Sequence, residues 1–309
     1  IPKIRGTLRS RTIESLVQEA RSLVAQGALE LNLIAQDLTD YGRDLRNGTT
    51  LPGLLRALAA IDGLQWIRMF YVYPDEMSDE LLDLIATEPK ICKYIDTPVQ
   101  HINDRMLALM NRKVTGEMIR ERLKTLRERI PGVSIRSTVI VGYPGETEAE
   151  YEQLKAFVEE AEFDHLGVFA YSREENTKSF SLPEQLPESV KQKRRDDLMA
   201  LQQKISQKRL ESRVGEVVPV LVEEVSEESE FLWQARHQGQ APDIDGYVLV
   251  RAGHVEKGKM ALVKLERAME YDYIARVVRD ASDTEDEEAS EEQSWIDFSA
   301  KRSAPTLHQ

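Results

Sequence analysis

Cysteine is almost absent from this chain of 309 residues: Cys92, in EPKICKYIDTP, stands alone. One thiol forms no intramolecular disulfide and cannot by itself hold a structural zinc or an iron–sulfur cluster. At the start of an apolar, strand-like run, it reads as a buried core thiol. No stretch approaches the roughly 18 consecutive apolar residues of a membrane helix, so no membrane partner is expected and the composition fits a cytoplasmic location. The opening IPKIRGTLRSR has neither a methionine nor the apolar run of a signal peptide. Positive charge is also in deficit: the formal net charge of −13 argues against a general nucleic-acid binder held by counterion release. Eight of the acids lie between Asp280 and Glu292, in a block with too little apolar content to repay its ordering, which reads as a disordered tail. Without that block the chain is only mildly acidic. No carboxylate pair, Ser–His–Asp order or metal-ligand spacing stands out, and no metal site is expected.

What is present is alternation. From Ser10 to Tyr171, helix-period segments follow strand-period ones. RTIESLVQEARSLVAQGA sets Ile13, Leu16, Val17, Ala20, Leu23 and Val24 on one stripe, with Gly27 as the stop. The strands read as LELNLIA, LQWIRMFYV, CKYIDTPV, VSIRSTVIV and HLGVFAYS. Strands separated by helices require right-handed crossovers and pair in parallel. The pattern is therefore α/β, either an open doubly wound sheet or a (β/α) barrel, complete or partial. In both, ligands gather at the carboxyl ends of the strands. PEQLP, residues 183–187, marks a boundary, and the Lys- and Arg-rich helix after it reads as a charged connector. After Gly215 come short β runs over about 60 residues, the size of a small five-stranded antiparallel barrel. The expected division is 1–187, 188–214, 215–278 and an acidic tail at 279–309.

The strand exits are where chemistry belongs. In VIVGYPGETEAEY, Gly142 and Gly145 flank Tyr143 and Pro144 between a buried strand and a helix that Thr147 and Glu150 open as a capping box. Glycines there let a ligand approach the backbone, the helix start offers free N–H groups, and Glu146 could accept from an amine or hydroxyl. A plain tight turn is the competing reading. TPVQHIND puts Gln100 and His101 past the third strand, where a satisfied polar histidine is the alternative. IAQD puts Gln36 and Asp37 at the edge of the first, and FAYSREENT ends the fifth with Tyr171. These residues alone imply an α/β enzyme of unspecified chemistry with an attached β-barrel.

Six stretches, IPKIRGTLRSR, LIAQDLTDYGRDL, YVYPDEM, DTPVQHINDRMLALMNRK, STVIVGYPGETEAEYEQL and LGVFAYSREENTKS, together resemble the radical S-adenosylmethionine methylthiotransferases. The strand-rich end is similar to the TRAM domain of these enzymes. QARHQGQAPDIDGYVLV, Gln234 to Val250, resembles its RimO-type version. The resemblance implies a radical-SAM (β/α) barrel with its first strand missing, followed by a small β-barrel. It implies S-adenosylmethionine as cofactor and two 4Fe–4S clusters in a longer parent, with cluster ligands absent from this chain, so the fragment as given is expected to be inactive. The implied reaction adds a methylthio group to the β-carbon of an aspartate in the twelfth small-subunit ribosomal protein, at the decoding centre, with an electron donor such as flavodoxin. The alternatives are a tRNA adenosine methylthiotransferase of the same superfamily and a cluster-less binding scaffold. Carried over by position, Gln36 and Asp37 would face the methionine portion of the cofactor, and Gln100 and His101 its ribose. Val141, Gly142, Gly145 and Glu146 would frame the adenine, and Tyr171 would close the far wall. Arg5 and Arg9 would support the cluster loop, meet acidic substrate or serve structure alone. No catalytic residue is assigned. An acidic TRAM-like end, with EEVSEESE in a loop, is expected to suit a basic ribosomal protein.

Overall fold

The computed structural model describes residues 6–73, 77–175, 177–226, 229, 231–251 and 255–278. Arg5, the acidic tail and Glu227, Glu228 and Glu230 of EEVSEESE lie outside them.

Six helices start on a capping side chain. Thr12, Thr50, Ser78, Asn103, Thr115 and Thr147 each accept a first-turn backbone N–H, which satisfies one of the donors a helix start leaves orphaned. They open α1 (Ile13–Ala25), α2 (Leu51–Ala59), α3 (Asp79–Thr87), α4 (Asp104–Leu109), α5 (Gly116–Arg129) and α6 (Glu148–Ala161). Between them run β1 (Glu30–Leu33), β2 (Trp66–Met69), β3 (Tyr94–Asp96), β4 (Ser134–Val141) and β5 (His165–Ala170). β1 pairs in parallel with β2, and β3, β4 and β5 pair in parallel with one another. A parallel bridge between Ile67 and Ile91 joins the two groups. The strands thus lie side by side in chain order, with no reversal. A doubly wound sheet needs such a reversal, so the architecture is a partial (β/α) barrel.

Side-chain alternation gives the sheet two faces. Leu31, Leu33, Ile67, Met69, Ile95, Ile135, Val139, Val141, Leu166 and Val168 join the helices in one apolar core. The intervening positions, among them Glu30, Arg68, Tyr94, Asp96, Arg136, His165 and Phe169, occupy the concave face.

The helix α7 (Glu188–Glu211) is not the solvated connector its composition suggests. It covers β5 and buries Lys191, Arg194, Leu198, Gln202, Ile205 and Ser206. Its few apolar residues are supplemented by polar ones with partners: Gln202 donates to the Phe163 carbonyl at 2.8 Å.

The strands β6 (Val217–Val225), β7 (Leu232–His237), β8 (Val248–Arg251), β9 (Met260–Ala268) and β10 (Tyr273–Val277) close into a barrel in the order β10-β8-β7-β6-β9. Every seam is antiparallel except β8–β10, which is parallel. Parity requires this, because strand directions cannot alternate all the way round a ring of five.

This second barrel stoppers the first. The loop after β7 inserts at the amino ends of β2–β5, on the concave face. Arg68 donates to the Gln238 carbonyl at 2.7 Å, His165 Nε2 meets the Gly239 carbonyl at 2.7 Å, and Tyr94 donates to Asp245 at 2.7 Å. Glu30 accepts from Arg68 and from Arg236, each at 2.7 Å, with all three side chains nearly sealed from water. Gly239 passes so close to Ser134 that a Cβ there would collide with its hydroxyl. The stretch that distinguishes this β-barrel in the sequence is therefore spent on docking it to the sheet.

Candidate functional site

The opposite, carboxyl rim carries the residues singled out by the sequence. The turn after β4 is its most constrained part. Gly142 has φ +73° and lies against the Lys191 stem, so a side chain there would be both strained and obstructed. Its N–H donates to Glu146 Oε2 at 2.6 Å. The same carboxylate accepts from Arg194 Nη1 at 2.5 Å and meets His101 Nε2 at 3.1 Å through Oε1. The Asn103 N–H donates to His101 Nδ1 at 3.0 Å, which leaves the ring proton on Nε2, pointing at Glu146. Both side chains are sealed from solvent. In this geometry the His101 and Glu146 side chains are each satisfied by partners inside the protein. They hold the turn.

Val141 is likewise turned away. Its parity places it in the helix-side core, and only its carbonyl reaches the rim, where it accepts from the Tyr171 N–H at 2.9 Å. Tyr171 packs edge-on against Tyr143 at 5.1 Å, and its hydroxyl is buried without a hydrogen-bond partner among the described residues. Lys191 donates to the Tyr171 carbonyl at 3.1 Å. Gln100 adopts φ +68°, unusual for a residue with a side chain. Its backbone is laced to β4, donating to the Thr138 carbonyl at 2.8 Å and accepting from the Ile140 N–H at 2.9 Å. Gly145 donates its N–H to the Glu184 carbonyl at 3.0 Å.

Gln100, His101, Val141, Gly142, Gly145, Glu146 and Tyr171 are thus brought together around β3, β4 and β5. Gln36 and Asp37 stand apart at the β1 exit. Gln36 is exposed, and Asp37 is engaged in its own turn, accepting from the Thr39 N–H at 2.9 Å and from the Thr39 hydroxyl. Arg9 is exposed.

Lys191 and Arg194 went unnoticed in the sequence, as did Arg105, which donates to Glu150 at 2.6 Å and to the Gly145 carbonyl at 2.7 Å. With Thr147 adding two further hydrogen bonds, Arg105 holds the Glu150 carboxyl at about 2. A cavity of about 270 Å³ beside Thr97 and Val99 lies against Ile119 and Leu123 of α5, on the helix side of the sheet.

A model of the Radical SAM superfamily matches residues 1–158, and a TRAM domain model matches residues 214–278. The chain belongs to the radical SAM superfamily. Within it, the chain is similar to the ribosomal protein uS12 methylthiotransferase RimO of Syntrophotalea carbinolica, at 52% identity over 92% of this chain and 62% of that one. To the RimO of Geobacter sulfurreducens it is 50% identical, over 90% of this chain and 62% of that one. The chain therefore spans about 62% of the length of the curated relatives it matches. Coproporphyrinogen III oxidase (HemN) from Escherichia coli superposes with a TM-score of 0.43 at 18% identity, over 62% of this chain and 46% of that one.

Radical SAM enzymes use S-adenosylmethionine and 4Fe–4S clusters. The rim fits the first of these. It offers a glycine turn that a side chain would block, the Tyr171 hydroxyl, which has no hydrogen-bond partner among the described residues, and largely exposed apolar side chains at Ile34 and Phe169. It does not supply a cluster. Cys92 is fully buried, and burial pushes its thiol up to about 12. Among the described residues no group of His, Cys, Asp or Glu could hold a metal ion, and no helix is long and apolar enough to cross a membrane.

Proposed function

We propose that this chain is the barrel and TRAM portion of a methylthiotransferase that modifies the β-carbon of an aspartate in ribosomal protein uS12. The carrying observation is its identity of about one half to RimO proteins over nine-tenths of its length. On this reading the Gly142–Gly145 backbone and the Tyr171 hydroxyl hold the nucleoside of S-adenosylmethionine. Gln100 reaches its ribose, and Gln36 and Asp37 its methionine portion. Bound there, S-adenosylmethionine supplies a hydrogen-abstracting radical and the transferred methyl group. The protein's contribution is positional. Glu146, His101 and Arg194 fix the turn, the stoppered amino end keeps water from below, and the concave face holds the target carbon.

The clusters are held by cysteines beyond this sequence, a flavodoxin-type donor supplies electrons, and the location is cytoplasmic, where ribosomes are modified. Deletion of the gene tests the reading. Mass spectrometry should show uS12 losing its methylthio group while methylthioadenosine in tRNA is unchanged. Loss from tRNA instead would favour the tRNA-modifying branch.

A further inference from the structure

Above the stoppered end of the concave face lies an ion pair that does not close. The β3–β4 register sets Asp96 opposite Arg136. Arg136 donates Nη1 to Asp245 at 2.5 Å and, more weakly, to the Ile244 carbonyl at 3.4 Å. Its Nε stands 3.9 Å from Asp96 Oδ1, beyond hydrogen-bond distance, and Nη2 donates no hydrogen bond among the described residues. Asp96 Oδ2 receives one long bond, from the Tyr71 N–H at 3.4 Å. The two side chains keep 17% and 9% of their exposure. The free edge of a guanidinium and a loosely held carboxyl thus face one another across a gap at the carboxyl end of β3.

Burial in such a place works against charge. Desolvation raises the Asp96 carboxyl above its ordinary range, although Tyr71 and Arg136 oppose the shift. Burial also opposes the charge on Arg136, but Asp245, Tyr94 and Asp96 outweigh it and keep the guanidinium firmly protonated. A docking role is met by Arg136 and Asp245 alone. Asp96 adds little to it at 3.9 Å.

We propose that Arg136 and Asp96 form the seat for the side-chain carboxylate of the substrate aspartate. The inference rests on the function proposed above. Arg136 presents Nε and Nη2 as a fork, the geometry that pairs with a carboxylate. A second carboxylate beside Asp96 favours uptake of a proton on one of the two, and Asp96, whose carboxyl burial has already raised, takes it and donates the O–H to the incoming group. In aspartate the β-carbon is bonded directly to the carboxyl carbon. A group that grips the carboxylate therefore fixes the reacting carbon, and a neutral asparagine in its place meets the wrong partner.

The test uses the full-length enzyme, reconstituted with its clusters, and a uS12 loop peptide carrying the target aspartate or asparagine in its place. The wild type should bind the aspartate peptide about ten-fold or more tighter than the asparagine peptide, as expected for a charge-assisted pair. R136Q should lose about that factor in binding and raise KM for the peptide. D96A should also weaken binding, while D96N, which keeps a neutral donor at that position, should stay within about three-fold of wild type. Variants D96A and R136Q that fold, bind and modify the aspartate peptide like wild type would overturn the seat and leave the function standing, as would equal binding of the two peptides. A wild-type enzyme that modifies no uS12 aspartate would overturn the function and the seat together.

Discussion

Arg194 and Glu146 meet at 2.5 Å with both side chains almost wholly removed from solvent. Through this pair the long helix α7 holds the turn that follows β4. Removing Arg194 leaves the buried Glu146 without its cation, a loss of about 3–5 kcal/mol, whereas removing Glu146 leaves Arg194 a second partner, Glu148, at 2.7 Å. R194A should therefore lower stability by that order in urea denaturation and E146A by less, and each should weaken S-adenosylmethionine binding. A double variant that costs no more than either single change would confirm that the two act as one unit.

Asp245 is the corresponding anchor at the other end of the barrel, with Tyr94, Arg136, His165 and the Ala241 N–H around it. D245A strips several buried donors of their acceptor and should cost about 3–5 kcal/mol. The TRAM portion should then become more susceptible to proteolysis than the barrel. Equal protection of both portions would show that docking does not depend on this residue.

Gly167 faces the concave side from β5, where an added Cβ would meet the Phe169 ring at 3.2 Å and the Thr138 hydroxyl at 3.6 Å. No positive φ requires glycine there, and the Phe169 ring has to give slightly to admit a Cβ. G167A should alter stability by less than about 1 kcal/mol. G167L should push Phe169 and its own side chain into the concave face and abolish uS12 modification while S-adenosylmethionine still binds. Full activity of G167L would mean that the substrate does not approach this part of the concave face.

Glu150 gives the acid limb of the stability curve a specific contributor. Its carboxyl lies at about 2 when folded, held first by the Arg105 hydrogen bonds, and near 4.3 when unfolded. The stabilisation is complete above the unfolded value and disappears as pH falls from about 4.5 towards 2. Because the Arg105 side chain is half exposed, solvent screening reduces the effect to about 1–2 kcal/mol. E150Q should flatten the loss of melting temperature across that interval and leave its slope near neutrality unchanged.

The strands and helices of the barrel were legible because their apolar residues recur at the right periods, and Thr147 with Glu150 announced a helix start that the structure contains as a full capping box. The positions at the strand exits were legible, but not the direction of their side chains. The partners of Glu146 were not legible, because Arg194 stands forty-eight residues away in the chain, whereas a satisfied His101 was one of the two readings its position allowed. Arg194 and Lys191 were hidden in a helix whose Lys and Arg content resembles a solvated face. The parallel β8–β10 seam was equally hidden, because it follows from closing five strands and not from any local pattern.

The carboxyl rim built around Gly142 and Tyr171 is proposed to serve a methylthiotransferase acting on uS12. The most direct measurement is anaerobic turnover of the full-length, cluster-reconstituted enzyme with S-adenosylmethionine, a reductant and uS12, read by mass spectrometry. The expected result is release of 5′-deoxyadenosine together with a methylthio group on one uS12 aspartate. An enzyme that carries its clusters, releases no 5′-deoxyadenosine and leaves uS12 unmodified would contradict it.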